Sequence, residues 1–468
     1  TRKESSAASD VYKRQMAKLE RAKFGSKMGV ILATAGSAVG LGNVWRFPFM
    51  AGQNGGCEFI LIYIICVLVL GIPCMVNEFI IGRHAQANTA RAYRKLANGT
   101  PWMLVGYLGV LTGFLITGYY TIVSGWCLQY VYASATGNLT GGPEEISRYF
   151  TEFSQHPIKP ILTGILFLGI THFVIVKGVR DGIERASKMM MPTLFILLLV
   201  IVGASCMLPG AEKGVKFLFN PTFSNITPDL CLAALGQAFF SLSLAMGCIC
   251  TYASYFSRHT NLLTSAIQIS VIDSIVAILA GLMIFPAAFS VGISPDAGPS
   301  LIFITLPNVF NQAFTSMPIV GYCVALMFYA LLSLAALTSL ISLHEVSTAF
   351  LNEEFRLGRK TAATIVTISC GLIGAVCSLS LADWSGLQLF GMPLFDIFDY
   401  VTGQIFLPIG GFLTCMFIGW YVPHKVVKEE FTNWGRLRGG LFHTYIFLAK
   451  YFCPLGMVLI FLNQIGVI

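Results

Sequence analysis

Residues Gly36–Pro48 read G-S-A-V-G-L-G-N-V-W-R-F-P, inside an apolar segment, Met28–Ala51, long enough to cross a bilayer. Three glycines and an asparagine within eight residues are poor helix material. Each interior Gly costs roughly 1 kcal/mol against Ala. In lipid, non-helical backbone survives only where it is buried in protein or lines a cavity. A break here therefore turns carbonyls and amides towards something polar. The C-terminal end of a half-helix suits a small cation, and the N-terminal end of the next suits a carboxylate. Gly36-x-x-x-Gly40 also fits the small-residue motif of helix packing, and on glycine spacing alone packing is the better reading. Asn43 and Arg46 shift the balance, because packing needs neither an amide nor a charge at that depth. A second interrupted span lies at Gln237–Gly247, Q-A-F-F-S-L-S-L-A-M-G. Paired interrupted spans in two halves of a chain are the sequence mark of a transporter binding site.

The rest of the composition agrees. Of 468 residues, 55% are hydrophobic and 11% charged, which describes a polytopic membrane protein. At about 20 residues per span, eleven helices are expected. They are Met28–Ala51 (broken near Ala38–Asn43), Phe59–Ile81, Trp102–Ala133, Pro160–Val176, Ser187–Leu208, Leu230–Phe256 (broken around Ser241–Gly247), Leu262–Val291, Pro318–Asn352, Thr361–Leu381, Pro393–Tyr421 and Leu441–Ile465. Gly298–Thr315 is apolar but interrupted by proline and reads as a re-entrant outer cap. With a cytoplasmic N-terminus, the inner segments hold 24 of the 30 Lys and Arg, as the positive-inside rule requires. The net charge of +8 is thus topological and does not point to nucleic acid. An odd number of spans places the C-terminus outside. The 13 cysteines are scattered with no C-x-x-C pair and read as small apolar residues. Residues 1–15 are polar, unlike the rest of the chain; Met16 is the expected natural start of a single transporter domain, 16–468.

Spans 1–5 (about 24–208) and spans 6–10 (about 230–421) form two halves of opposite topology, each opening with a broken helix. The fold class is therefore an all-α polytopic membrane protein, a 5+5 inverted-repeat transporter with one extra C-terminal span at about 441–465.

Gly36–Pro48 and Phe239–Gly247, with Gly82-Arg83 after span 2, T-Y-A-S-Y at Thr251–Tyr255 and L-T-S at Leu337–Ser339, resemble the signature segments of the neurotransmitter:sodium symporter family, prokaryotic branch. The resemblance runs from about Phe24 to the C-terminus. It implies sodium-coupled uptake of a neutral L-amino acid by alternating access across the inner cell membrane, by a monomer or weak homodimer. The substrate carboxylate would lie at Gly40, Leu41 and Gly42 with Tyr120 donating a hydrogen bond. The amine would be held by carbonyls of Ala38, Phe240 and Ser241 and by Ser243. Ile116, Phe240, Met246, Leu343, Ser37 and Ser339 would line the side-chain pocket. Gly40 stands where amine-transporting relatives carry Asp, which favours amino acids, and hydrophobic or aromatic ones are expected.

Two sodium sites are implied. One uses Ala38, Asn43, Ser241, Asp273 and the substrate carboxylate, and the shared ligand couples the two bindings. The other uses Gly36, Val39, Ala335, Thr338 and Ser339, although a Thr in a span also commonly bonds back to its own helix. Asp273 stands where Asn is common, and a carboxylate at bilayer depth is functional by default. Its fixed charge implies that chloride is not required; carrying a proton is the other reading. Arg46 and Asp399 resemble the outer gate, and Arg21, Glu353, Tyr255 and Phe24 the inner one. Gly182 and Pro192 bracket an inner end of span 5 expected to unwind. Glu78 is expected to cap broken-helix amides, and His344 and Glu345 to be solvated near the inner face.

Two sodium ions crossing 100 mV release about 4.6 kcal/mol, enough for roughly a thousandfold gradient. No nucleotide-binding motif and no organic cofactor are expected. A proton-coupled transporter and a non-transporting amino-acid sensor are the competing readings. An enzyme would need a nucleophile–base pair or a metal cluster that the seven histidines do not form.

Overall fold

The computed structural model describes residues 22–221, 223, 226–292, 301–382, 384 and 386–467. Arg21 and residues 1–15 lie outside the described residues. Among those described, nine helices are long and apolar enough to cross a membrane: Cys57–Ala85, Met103–Ala135, Lys159–Val176, Val179–Cys206, Leu262–Ser290, Pro318–Glu354, Arg359–Ser380, Leu394–Tyr421 and Phe442–Gln464. The pair Lys27–Ala38 and Gly42–Gln53, bent by 54°, adds a tenth. The expected sixth span is two short helices, Pro228–Ser241 and Cys248–Ala253, which complete the expected eleven. The helices are numbered below as spans 1–11 in chain order.

Proline shapes many of these spans. In a helix it removes one hydrogen bond and its ring crowds the carbonyl four residues back. The local answer here is a π-helical turn ending at the residue before Pro. The amides of Phe47, Ile72, Leu407 and Cys453, which precede Pro48, Pro73, Pro408 and Pro454, bond to Gly42, Val67, Thr402 and Leu448, five residues back. Such adjustments keep the backbone satisfied within lipid.

Spans 3 and 8 pack along one another, flanked by spans 4 and 9. Close approach uses small residues: a Cβ on Gly125 of span 3 would meet the backbone of Gly164 on span 4 at 2.5–2.8 Å. Span 4 and span 9 turn Leu162, Phe173, Ile368 and Leu372 outward, each 59–64% exposed, as a lipid-facing side requires. Half-spans 1 and 6 sit inside, against spans 2, 7 and 8. The expected outer cap is present as a π turn at Leu301–Thr305 followed by helix Leu306–Ala313.

Two expectations are corrected. Span 5 begins at Val179, not Ser187, and its inner end is helical through Pro192. Its charges do not make a loop: buried Glu184 accepts from Gly25 N at 2.6 Å and Ser26 Oγ at 2.8 Å and pairs with Lys188 at 2.7 Å. His344 and Glu345 are not solvated; both are fully buried. Glu345 pairs with Arg359 at 2.6 Å and accepts from Tyr255 OH at 2.6 Å. His344 lies 3.0 Å from Thr348 Oγ1 and 2.9 Å from Thr367 Oγ1.

At the inner end of span 2, Arg83 is buried beyond what charge distribution alone requires. Its Nε pairs with Glu430 at 2.7 Å, and one terminal nitrogen reaches Asn433 Oδ1 at 2.8 Å and Thr260 O at 2.5 Å. It thereby ties span 2 to the surface helix His424–Phe431 and to the chain after span 6.

Candidate substrate and cation site

Span 1 is broken at Val39–Leu41 and span 6 at Leu242–Gly247. In span 6 the break is sharp, because Ser243 (φ 53) and Ala245 (φ 64) both take the left-handed region that side chains disfavour. Glu78 of span 2 holds this joint: its two carboxylate oxygens accept from Ala245 N at 2.6 Å and Cys250 N at 3.2 Å. That is the capping role expected of it. Ser243 Oγ donates to Ser37 O at 2.8 Å, and Gln237 Nε2 to Gly42 O at 3.1 Å, so the two breaks are tied to each other.

Between them lies a fully buried polar cluster. Asn43 Nδ2 approaches Asp273 Oδ1 at 2.8 Å and Ser241 Oγ at 3.1 Å, while its Oδ1 accepts from Gly40 N at 3.0 Å. Ser241 Oγ donates to Asp273 Oδ2 at 2.7 Å. Tyr63 OH donates to the same oxygen at 3.2 Å. No Lys, Arg or His pairs with Asp273 among the ion pairs of the described residues. The structure thus brings Asn43, Ser241 and Asp273 together as a set of oxygens around a negative charge that only neutral donors satisfy. Such a set suits a small hard cation. Tyr63 was not anticipated; its signal was a lone hydroxyl in the apolar run F-I-L-I-Y-I-I-C, since a buried Tyr generally finds a partner.

The second expected cation set is also assembled. Thr338 Oγ1 lies 3.3 Å from Val39 O and 2.9 Å from Ala335 O, and also reaches Leu334 O at 3.2 Å in its own helix. Both the back-bonded geometry and the contact to the break in span 1 are present. A Cβ on Gly36 would meet Thr338 Cβ at 3.4 Å.

The backbone at Gly40 runs so close to span 8 that a Cβ there would collide with Ser339 Oγ, and Tyr120 OH lies just beyond. Tyr120 also faces the backbone of Leu41. Ser37 Oγ donates to Ser342 Oγ at 2.8 Å. Ile116, Met246 and Leu343 are buried, and Phe240 is half-buried under Arg46, whose guanidinium carbon stands 4.4 Å from the ring centroid.

The gates are assembled differently from a simple pair of charges. Asp399 accepts from Tyr119 OH at 3.0 Å, while Arg46 stacks on Phe240; the two are not joined among the ion pairs of the described residues. On the inner side Phe24 packs edge-on against Tyr252 and Tyr255. Glu353 accepts from the backbone and side-chain nitrogens of Asn88 at 2.9 and 3.1 Å. Tyr255 is engaged by Glu345, a partner the sequence did not reveal.

Two helices broken at facing points, tied together and closed around a buried carboxylate among eleven spans, define a secondary transporter of the inverted-repeat class. Comparison with known proteins agrees. The profile of the sodium:neurotransmitter symporter family matches residues 21–147 and 144–468, and the chain belongs to that family. An uncharacterised sodium-dependent transporter of Bacillus subtilis is 38% identical over 97% of this chain and 100% of its own length. One from Haemophilus influenzae is 34% identical over 95% of this chain and 98% of its own. The human sodium- and chloride-dependent GABA transporter 2 is 26% identical over 82% of this chain. The crystal structure of MhsT in complex with L-phenylalanine superposes with a TM-score of 0.85, at 38% identity, covering 95% of this chain and all of that one. The protein is a sodium-dependent, multi-pass secondary transporter and not an enzyme.

Proposed function

We propose that the protein carries a neutral L-amino acid with a hydrophobic or aromatic side chain into the cell with two sodium ions and without chloride. The reading rests above all on the Asn43–Ser241–Asp273 cluster at the joint of the two helix breaks. Asp273 provides there a fixed negative charge to balance the cation, the task otherwise left to a bound anion. Gly40 adds a second support. Its missing side chain leaves backbone amides beside Tyr120 and Ser339 open to a carboxylate, and an Asp at this position would occupy that space. Phenylalanine bound to MhsT, a structure this close in fold, favours an apolar or aromatic side chain. Ala38 and Ser241 stand next to both ligands, so each binding strengthens the other. The same reading places Arg46, Tyr120, Phe240 and Asp399 on the outer side and the N-terminus in the cytoplasm, with the C-terminus outside.

The test is binding of a panel of labelled amino acids to the purified protein in sodium, then with potassium in its place. Tight binding of a few apolar or aromatic amino acids in sodium alone is expected, unchanged when gluconate replaces chloride. Binding indifferent to sodium overturns the assignment of the two cation sites. A second reading, proton coupling, draws on the burial of Asp273 without a cationic partner; uptake driven by a pH gradient in sodium-free medium would favour it.

A further inference from the structure

Three cysteines that look unrelated in the sequence meet in the fold. Cys74 of span 2, Cys415 of span 10 and Cys453 of span 11 have their sulfurs within 4.8 Å of one another, and all three are buried. The Cys74 and Cys415 sulfurs are 3.5 Å apart. Taking the thiolate–zinc distance of about 2.3 Å as a guide, three sulfurs spaced evenly round one ion stand about 4 Å apart. The cluster is therefore sized for a single ion in a trigonal set of sulfurs. No fourth Cys, His, Asp or Glu of the described residues joins it. Zinc, which wants four ligands, is poorly matched; soft thiol ligands select monovalent copper instead.

The setting is built by the backbone. Each cysteine lies at or next to a π-helical turn: Val67–Gly71 precedes Cys74, Phe417–Tyr421 follows Cys415, and Leu448–Phe452 ends at Cys453. Pro73 has no amide to offer the Val69 carbonyl, and the Cys453 thiol stands 3.8 Å from that oxygen in its place. Asn77 donates to Cys415 Sγ at 3.6 Å and is itself oriented by Tyr445 OH at 2.6 Å. An amide held this way supports a sulfur that carries negative charge.

We infer that Cys74, Cys415 and Cys453 form a binding site for one soft monovalent d¹⁰ cation of the copper(I) or silver(I) kind, joining spans 2, 10 and 11. Charge selects the monovalent ion. No Lys, Arg or His is hydrogen-bonded or ion-paired to these thiols among the described residues. Binding releases one proton, from one thiol; the other two coordinate as neutral thiols, and the site stays uncharged within the membrane. No electron is transferred, so no oxidant is required.

Cys206 and Cys323 are the exposed thiols among the described residues and are replaced by Ser to remove background binding. The full-length protein carrying C206S and C323S is loaded with copper(I) in the presence of a competing copper(I) chelator. One copper per chain is expected to survive gel filtration, and X-ray absorption should show three sulfurs at one distance. Adding C415S or, separately, C453S should abolish retention while helix content and elution position stay unchanged. If C415S fails to fold, C453S and C74S carry the test. No retained copper, a two-sulfur or mixed oxygen shell, or retention that survives C415S or C453S overturns the inference. So does a loss of two mass units in the untreated protein, which would show that Cys74 and Cys415 form a disulfide. None of these readouts depends on which solute the protein transports.

Discussion

Replacing Asp273 by Asn tests the centre of the reading. The change is nearly isosteric but removes the charge. In the structure Asp273 accepts from Asn43, Ser241 and Tyr63, so three donors face it. An Asn keeps one acceptor oxygen and turns an NH2 towards hydroxyls that must then reorient, at a cost on the order of 1 kcal/mol in stability. The larger effect falls on the cation. A sodium ion held by this cluster stands within about 4 Å of the carboxylate, and at an effective dielectric of ~20 that attraction is about 4 kcal/mol. Part of it offsets the cost of keeping a carboxylate dry, so a net loss of about 2–3 kcal/mol is expected. That corresponds to a rise of roughly 30- to 150-fold in the sodium concentration for half-maximal uptake, at 1.4 kcal/mol per tenfold. Chloride, absent from the wild-type requirement, should partly restore uptake by replacing the lost charge. The assay is amino-acid uptake into proteoliposomes across a sodium titration, in chloride and in gluconate. Uptake by D273N with unchanged sodium dependence and no response to chloride would refute the role given to Asp273.

Other substitutions probe separate parts of the argument. Gly40→Ala places a Cβ against Ser339 Oγ and should abolish sodium-dependent amino-acid binding with little change in thermal stability; binding within threefold of wild type would count against the placement of the carboxylate. Glu78→Gln leaves one of the two break amides, Ala245 N or Cys250 N, facing an NH2, which should cost about 1–3 kcal/mol and appear as a lowered Tm in a thermal-shift assay. Arg359→Ala strands the buried Glu345 carboxylate and should destabilise by about 3–5 kcal/mol. The double change with Glu345→Gln should recover much of that, and an equal loss in both variants would show that the pair is not coupled.

How much was legible depended on whether the signal was local. The breaks in spans 1 and 6 were visible because Gly and Ser weaken a helix wherever they stand, and the structure breaks at Val39–Leu41 and Leu242–Gly247. Asn43, Ser241 and Asp273 stood out as polar groups in apolar spans and do converge. Glu78 was legible for the same reason. Partners chosen by packing were not. Nothing near Glu345 in sequence announces Arg359 and Tyr255, and nothing near Arg83 announces Glu430, which is supplied by a helix far along the chain. The charges at 180–188 looked like a loop because an amphipathic helix end that buries one carboxylate under a neighbouring segment has the same composition. Tyr63 was hidden by the apolar run around it. The cysteines read correctly one at a time as small buried residues; only the crossing of spans 2, 10 and 11 makes three of them a group.

The joint in span 6 also bears on how the chain is assembled in the membrane. Cys248–Ala253 is only 6 residues long and cannot cross by itself, and the amides of Ala245 and Cys250 would be costly left bare in lipid. Their acceptor belongs to span 2, which leaves the ribosome well before span 6 does. Glu78 therefore acts as a waiting docking point during synthesis. A chain lacking span 2 has no route for inserting the later broken helix, whatever its own hydrophobicity.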